Sequence, residues 1–309
     1  MFGIISCSTT NYKMLGNSYY MNEKYDLAIE NYQKALKGRP SEDKFQIYDL
    51  IGNCYYSRKD YRNALVAYNK SLMQLKKITV IDRRNKPLQP ENVAYKRGVC
   101  NSYLNNHLQA VSDFQYAISR KPKNIQFHLA LGIEYKNLKE YQKAADTFNN
   151  ALKIEKQNVG ILKNLAIVYY LDKRYNEALI EFEKAYQLDP ENYEILYHLA
   201  LCYDLCNEPE KAIKFYEILL KSNDQNDYKF SYLLNIALNY YKIDKLQLSE
   251  TYFLKALSLK TDSHEIYYYL ALMSDKQKDS DKCVENMKKA AFYGNKEAQN
   301  YLKNLNINW

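Results

Sequence analysis

Apolar and small residues recur along this chain at helical spacing, in pairs of short segments separated by polar turns. In the clearest copy, Leu15, Gly16 and Tyr19 lie on one face of a first segment, because offsets of three or four residues place side chains on the same side of a helix. The matching face of the second segment consists of Ala28, Tyr32 and Ala35. The pattern therefore predicts two amphipathic helices joined by a short turn.

This helical hairpin repeats at a fixed interval. Four successive small residues are 34 residues apart, namely Gly98, Gly132, Ala166 and Ala200. A period of this length is typical of a solenoid, in which stacked hairpins bury the apolar faces that one hairpin alone cannot cover. Two intervals are longer, 46 residues from Gly52 to Gly98 and 37 residues from Ala200 to Ala237, and they predict insertions.

The recurring residues resemble those of the tetratricopeptide repeat family. The resemblance implies an all-α fold, a right-handed α-α superhelical solenoid of helix-turn-helix repeats, with about eight repeats over residues 9–295. The third copy departs from the family pattern, with Arg97 at an apolar position and Asn101 at a tyrosine position. Near the C terminus, Ala290, Gly294 and Ala298 resemble a fragment of a Sel1-like repeat, and a capping helix and tail are expected over residues 296–309.

The longer insertion lies around residues 75–91 and is basic. Its cationic residues are Lys76, Lys77, Arg83, Arg84 and Lys86. Surface loops tolerate such growth, so a lengthened helix followed by a solvated loop with Pro87 and Pro90 is expected. The alternative hypothesis is a partner-binding flap at the edge of a groove.

Charge is distributed unevenly along the chain. Residues 1–154 contain 24 Lys and Arg against 13 Asp and Glu, a net charge of +11, whereas residues 155–309 have a net charge of −3. A basic N-terminal half favours an acidic peptide or another anionic surface as the partner. Nucleic acid is an alternative that the pattern disfavours, because dispersed lysines on helical repeats are usually a solvated face.

Catalytic chemistry has no signal in this sequence. It contains none of the phosphate-binding, zinc-protease or serine-hydrolase motifs, so no catalytic residue, cofactor or metal site is predicted and the protein is expected not to be an enzyme. Cys54, Cys100 and Cys202 occupy one repeat position, where a free thiol packs as a small apolar group. No apolar run approaches the ~18 residues that a membrane span needs.

Cys7 stands outside the repeats, in a separate N-terminal tail expected over residues 1–8. The preceding Ile4-Ile5-Ser6 resembles the box before the lipidated cysteine of bacterial lipoproteins. A signal needs a basic start and an apolar region of ~7–15 residues, and only six residues precede Cys7. The chain as it stands is expected in the cytoplasm. If the true start lies upstream of Met1, Cys7 is expected to carry a lipid anchor at a bacterial cell envelope.

The resemblance also implies where a partner binds, because in this family the first helices line a concave groove. The residues predicted to project into it are Lys13, Asn17, Asp49, Asn53, Tyr95, Lys96, Asn137, Lys163, Asn164, Tyr197, His198 and Asn235. Some family members clamp a terminal carboxylate with lysine, asparagine and arginine. Here Lys13 and Asn17 match that clamp, but Leu50 replaces an asparagine, so an ordinary polar groove is favoured.

The leading hypothesis from the sequence is that the protein is a non-catalytic scaffold or adaptor that binds a protein or peptide in its concave groove. A second hypothesis is a lipid-anchored envelope protein that assists assembly of a surface or secretion complex, and RNA binding is a third. Partner identity and oligomeric state have no signal in the sequence.

Overall fold

A computed structural model describes residues 2–37, 39–78, 88–222 and 228–309, apart from the side chains of residues 2–10 and of Lys76. Within these ranges the chain forms 17 α-helices and one 3₁₀ turn, and no β-strand. The helices are α1 (Phe2–Met21), α2 (Tyr25–Ala35), α3 (Ser41–Ser57), α4 (Tyr61–Gln74), α5 (Pro90–Tyr103), α6 (His107–Arg120), α7 (Ile125–Asn137), α8 (Tyr141–Ile154), α9 (Val159–Leu171), α10 (Tyr175–Leu188), α11 (Tyr193–Leu205), α12 (Pro209–Lys221), α13 (Lys229–Lys242), α14 (Leu246–Leu257), α15 (His264–Lys276), α16 (Ser280–Phe292) and α17 (Lys296–Asn304). The predicted all-α fold of helix-turn-helix repeats is confirmed.

The turn inside each helix pair from α1–α2 to α15–α16 has one conformation. Its second residue lies in the left-handed region with φ of 58–61°, and these residues are Glu23, Lys59, Asn105, Lys139, Lys173, Asn207, Asp244 and Lys278. The next N–H closes the preceding helix, as the amide of Lys24 does by donating to the carbonyl of Tyr19 at 2.9 Å. None of the eight is glycine, so this turn has no glycine signature in the sequence.

The second helices bury the positions that the repeat pattern predicted. The alanines at the closest helix contact are fully buried at Ala28, Ala64, Ala110, Ala144, Ala178 and Ala212. The aromatic residues four positions after these alanines are at most 1% exposed, namely Tyr32, Tyr68, Phe114, Phe148, Phe182 and Tyr216. Phe253 is buried in the same way four positions after Ser249, which replaces the alanine there. Small residues allow close helix approach and the rings fill the space beside them, which is why this pair of residue types recurs.

The chain divides into two compact units, Met1–Val168 and Tyr169–Trp309. The boundary falls within α9. In the N-terminal unit, α1 begins at Phe2 and so includes residues 2–8. In the C-terminal unit, α17 buries Ala298 and Leu302 in a cluster with Met287 and Ala290 of α16.

The basic insertion has described residues only at its ends. After α4, a 3₁₀ turn spans Leu75–Lys77 and Ile78 is buried, whereas residues 79–87, including Arg83, Arg84 and Lys86, lie outside the described residues. On the return side, Pro90 is the first residue of α5 rather than part of a non-helical stretch. Proline suits this position because the first helical N–H has no partner within the helix.

The departures of the third copy from the family pattern are explained by one buried carboxylate. Arg97 Nε donates to both carboxylate oxygens of Asp113 at 3.0 and 3.1 Å. Asn101 Nδ2 donates to Asp113 Oδ2 at 3.0 Å. Burial raises the pKa of the Asp113 carboxyl, and the bonds from Arg97 oppose that rise. Arg97 and Asn101 therefore supply the hydrogen bonds that the Asp113 carboxylate needs, since Asp113 is only 3% exposed. Neither the repeat spacing nor the local sequence predicts that these three residues meet.

Candidate functional site

A cavity of about 410 Å³ in the N-terminal unit brings together four of the predicted groove residues. It lies between α1, α3, α5 and the segment before α5. Its lining residues are Lys13, Asn17, Phe45, Gln46, Asp49, Leu50, Leu88, Gln89, Asn92, Val93 and Lys96. We call this the groove cavity. First helices of three successive pairs, α1, α3 and α5, supply most of its lining residues.

The charges in the groove cavity are partly compensated by one another. Lys96 Nζ lies 2.9 and 3.1 Å from the two carboxylate oxygens of Asp49. Lys13 Nζ donates to the neutral Oε1 of Gln46 at 3.0 Å. A ligand therefore meets Lys96 as half of an ion pair. This arrangement is less uniformly basic than the sequence alone indicated.

The groove asparagines are oriented by buried tyrosines of the second helices. Tyr32 OH donates to Asn17 Oδ1 at 2.8 Å, and Tyr68 OH donates to Asn53 Oδ1 at 2.9 Å. Burial raises the pKa of both phenols, so each hydroxyl keeps its proton and acts as donor. With Oδ1 occupied, the Nδ2 of Asn17 is the group offered to a ligand in the groove cavity. Such a donor suits a peptide carbonyl or a carboxylate.

Asn53 and Tyr95 do not line the groove cavity. The ring of Tyr95 packs against Phe114 and Phe127, with ring centroids 5.6 and 5.1 Å away. Its main described role is thus packing between α5, α6 and α7.

The predicted groove residues of α7 and α9 also lie apart from this cavity. Asn137 is exposed at the last position of α7, and Lys163 is half-buried on α9. Asn164 Nδ2 donates to the carbonyl of Gly160 at 2.8 Å. That bond ties the amide of Asn164 to its own helix.

Three predicted residues lie in the C-terminal unit, and two of them belong to an aromatic cluster. The His198 ring stacks on Phe182 with centroids 5.2 Å apart and meets the edge of Tyr170 at 5.6 Å. Tyr197 lies between His198 and Tyr232, at 5.7 and 6.0 Å. Asn235, on α13, accepts through its backbone carbonyl from Asn239 Nδ2 at 2.9 Å. The half-buried His198 ring therefore packs against Phe182 and Tyr170.

Sequence reasoning missed two residues of the groove cavity, Leu88 and Gln89. Both belong to the insertion, which was expected to be a solvated loop and has no repeat position to identify it. Phe45 and Val93 were also missed, since they are 3% and 2% exposed and repeat position alone assigns them to the core.

Metal and thiol chemistry receive no support from the described residues. No group of three or more His, Cys, Asp or Glu side chains in the described part of the chain is arranged to hold a metal ion. Burial raises the pKa of Cys54, Cys100 and Cys202 to about 12 each, which leaves few reactive thiolates. The side chain of Cys7 is outside the described set. No helix among the described residues is long and apolar enough to span a membrane.

Family models of the tetratricopeptide repeat match this chain in several places. One model matches residues 13–75 and 129–193, a second matches 169–229 and a third matches 230–263. Together they cover more than half of the chain. The helix pairs over 90–120 and 264–292 lie outside these matches, so the count of about eight repeats and the Sel1-like fragment stay predictions.

Solved structures of the same fold cover this chain in part, while no curated protein matches it. YrrB, a tetratricopeptide-repeat protein with an unusual peptide-binding site, matches at 17% identity and a TM-score of 0.54, over 62% of this chain and 97% of YrrB. A tetratricopeptide repeat protein from Parabacteroides merdae matches at 16% identity and a TM-score of 0.54, over 84% of this chain and 98% of that protein. PilF of Pseudomonas aeruginosa matches at 21% identity and a TM-score of 0.50, over 69% of this chain and 97% of PilF. At these identities the likeness shows the fold alone.

Proposed function

This chain belongs to the tetratricopeptide-repeat family, and on that premise we propose that it is a non-catalytic scaffold or adaptor that binds an extended segment of a partner protein in the groove cavity. The observation that carries the proposal is the gathering of Lys13, Asn17, Asp49 and Lys96 from three different helices around one cavity. An extended segment lying across α1, α3 and α5 contacts all three. YrrB, which has the same fold, is described as having a peptide-binding site, and this supports the same class of function here.

The partner segment is proposed to be acidic or to carry a carboxylate. Lys13, Lys96 and Asp49 give the cavity lining a formal net charge of +1, and residues 1–154 have +11. Asn17 Nδ2 adds a donor beside them. Charge-assisted bonds from lysine to a carboxylate, and amide bonds to backbone carbonyls, are the interactions that hold such a segment.

A pair of charge-reversing variants tests this proposal. Full-length protein captures the partner from a lysate of its source cells, and the affinity of the purified partner is then measured for Lys13→Glu and for Lys70→Glu. Lys70 is exposed on α4, outside the groove cavity, so the control has the same change of net charge. We expect Lys13→Glu to weaken binding at least tenfold, about 1.4 kcal/mol, with the largest loss at low salt.

Two outcomes contradict the groove as the binding site. One is unchanged affinity in both variants, and the other is an equal loss in both, which indicates long-range charge alone. If the captured partner is RNA, with an affinity that falls steeply as salt rises, the RNA hypothesis replaces this one.

The leading proposal places the protein in the cytoplasm, and an envelope location is the second proposal. Its basis is the Ile4-Ile5-Ser6-Cys7 sequence with the polar residues that follow. In that setting the same groove holds a component of a surface or secretion complex. Labelling of cells with radioactive palmitate tests it, since an anchored protein incorporates label in the natural reading frame and loses it in Cys7→Ser. Absence of label in the natural protein excludes the anchor.

A further inference from the structure

A second cavity of the N-terminal unit lies between α2, α3 and α4 and shares no lining residue with the groove cavity. We call it the second-helix cavity, and its lining includes Leu36, Tyr48, Ile51, Tyr55, Val66 and Lys70. Its volume is about 240 Å³. Pockets that enclose a whole small molecule have roughly 300–1,000 Å³, so this cavity has room for a part of a ligand, such as one side chain.

The two cavities lie on opposite faces of α3. Gln46 lines the groove cavity and Tyr55 lines the second-helix cavity. These residues are two and a half helical turns apart at about 3.6 residues per turn, so their side chains leave the helix in opposite directions. A ligand in one cavity therefore does not occupy the other.

Much of the second-helix cavity is apolar. Ile51 is 5% exposed and belongs to a core cluster against which Leu36, Tyr48 and Tyr55 pack. Val66 of α4 is 50% exposed and lines the same cavity. An apolar side chain that enters the cavity removes apolar surface from water on both partners, and this favours its binding.

Lys70 gives this cavity a cation that no carboxylate of the described residues neutralises. When α2 and α4 are aligned by their buried tyrosines, Lys70 corresponds to Lys34, whose Nζ lies 2.6 Å from Glu30 Oε1. The counterpart of Glu30 in α4 is Val66. Thus α4 keeps the lysine of this position and has an exposed apolar residue in place of its acid.

The rest of α4 also lacks negative charge. It contains no Asp or Glu, whereas each of the other second helices from α2 to α16 contains at least one. Arg62 is a second exposed cation on this helix. The charge of α4 therefore complements a partner that carries carboxylates.

We propose that the second-helix cavity is a docking site for a partner protein that inserts one apolar side chain and pairs an adjacent Asp or Glu with Lys70. A carboxylate at Lys70 gains a charge-assisted bond and displaces no carboxylate of the chain itself. This site is separate from the groove cavity and does not depend on the function proposed there. With both cavities occupied, one copy of the protein holds two partners at once, as an adaptor does.

Selection of peptides with and without this site provides the test. A phage-displayed library of random peptides of about twelve residues is depleted on immobilised Val66→Glu protein and then selected on the full-length wild type. Val66→Glu removes the exposed apolar residue and gives Lys70 the acid that Lys34 has in α2. We expect the enriched peptides to share an apolar residue next to Asp or Glu.

Affinities of the synthetic enriched peptides, followed by fluorescence anisotropy, assign them to the cavity. We expect Val66→Glu and Lys70→Glu each to weaken binding at least tenfold, whereas Val66→Ile and Lys70→Arg retain it. Arg62→Glu is the matched control, because it makes the same change of charge on α4 outside the cavity. Lys13→Glu, in the groove cavity, should also leave the affinity unchanged. Thermal melts verify folding, and Lys70→Glu replaces Val66→Glu in the depletion if the latter does not fold.

Several results would overturn this inference without touching the groove cavity. They are the absence of any peptide that prefers the wild type, a consensus without an acidic residue, and an equal loss of affinity in Arg62→Glu and Lys70→Glu. Binding lost in Lys13→Glu and kept in Lys70→Glu would place the peptide in the groove cavity instead. A dimer in sedimentation velocity that Val66→Glu dissociates would make a second copy of this chain the occupant, in place of another protein.

Discussion

At the scale of single residues, the helix contacts depend on the absence of side-chain atoms at four glycines. A Cβ added to Gly16, Gly52, Gly98 or Gly132 would lie 2.4–2.6 Å from an aromatic carbon of the second helix. Those rings are fully or almost fully buried, so they have little room to move. The repeat pattern predicted the small residue at this position for this reason.

We therefore expect Gly132→Ala to destabilise the protein by roughly 1–3 kcal/mol, because the new methyl group overpacks against Phe148. Gly160→Ala is the matched control, since its Cβ would meet only Asn158 Oδ1 at 3.3 Å, and it should change stability little. Urea unfolding followed by circular dichroism measures both. Equal midpoints for the two variants would show that the Gly132 contact is not tight.

Thiol reactivity is a second property set residue by residue. Because burial raises the pKa of Cys54, Cys100 and Cys202 to about 12, the thiolate fraction of each is very small at pH 8. We expect these three to resist iodoacetamide in the native protein and to react after unfolding, while the partly exposed Cys206 reacts before them. Mass spectrometry of peptides reports each site. Rapid native alkylation of Cys100 would contradict its assignment as a packing residue.

At the scale of elements, α5 and α6 show how a departure from the repeat pattern can be compensated elsewhere. Arg97 stands where the other first helices have an apolar residue, and its guanidinium is held by Asp113 of α6. Asn101 completes the bonds to that carboxylate. The Asp113 side chain is almost fully buried, with 4% of it exposed, whereas 29% of the Arg97 side chain is exposed.

This contact predicts that restoring the family pattern at one position alone is harmful. Arg97→Leu leaves the Asp113 carboxylate buried without its cation, so a loss of about 2–4 kcal/mol is expected. The double variant Arg97→Leu, Asp113→Ala removes both charges and should recover more than half of that loss. Chemical unfolding of the two variants and the wild type provides the comparison. If Arg97→Leu has the same free energy of unfolding as the wild type, the ion pair contributes nothing to the packing of α5 on α6.

The same elements indicate which features sequence could predict. Helix pairs and buried faces followed from a periodic pattern, because each repeat packs its helices in the same way. The groove residues, in contrast, were implied only by the family resemblance, and Lys13, Asn17, Asp49 and Lys96 are the ones that line the groove cavity. Contacts that no periodicity specifies were missed. Asp49 meets Lys96 across 47 residues, and Leu88 reaches the groove cavity from an insertion. Such contacts depend on how helices of different repeats meet, and only the folded chain defines that.

At the scale of the whole molecule, the two units differ in what they offer to a partner. The N-terminal unit has the groove cavity, its cations and the oriented asparagines. In the C-terminal unit the predicted groove rings Tyr197 and His198 are engaged with each other and with Tyr232 and Phe182. Binding is accordingly expected in the N-terminal unit, and the tyrosine-rich C-terminal unit is the alternative.

Site-specific photo-crosslinking tests this central claim most directly. p-Benzoylphenylalanine is placed at Asn92 in the groove cavity, at Tyr197 in the C-terminal unit, and at Tyr116, a 40% exposed residue of α6 outside the cavity. We expect a partner adduct from Asn92 that Lys13→Glu weakens, and no such adduct from Tyr197 or Tyr116. An adduct from Tyr197 with none from Asn92 would contradict the claim.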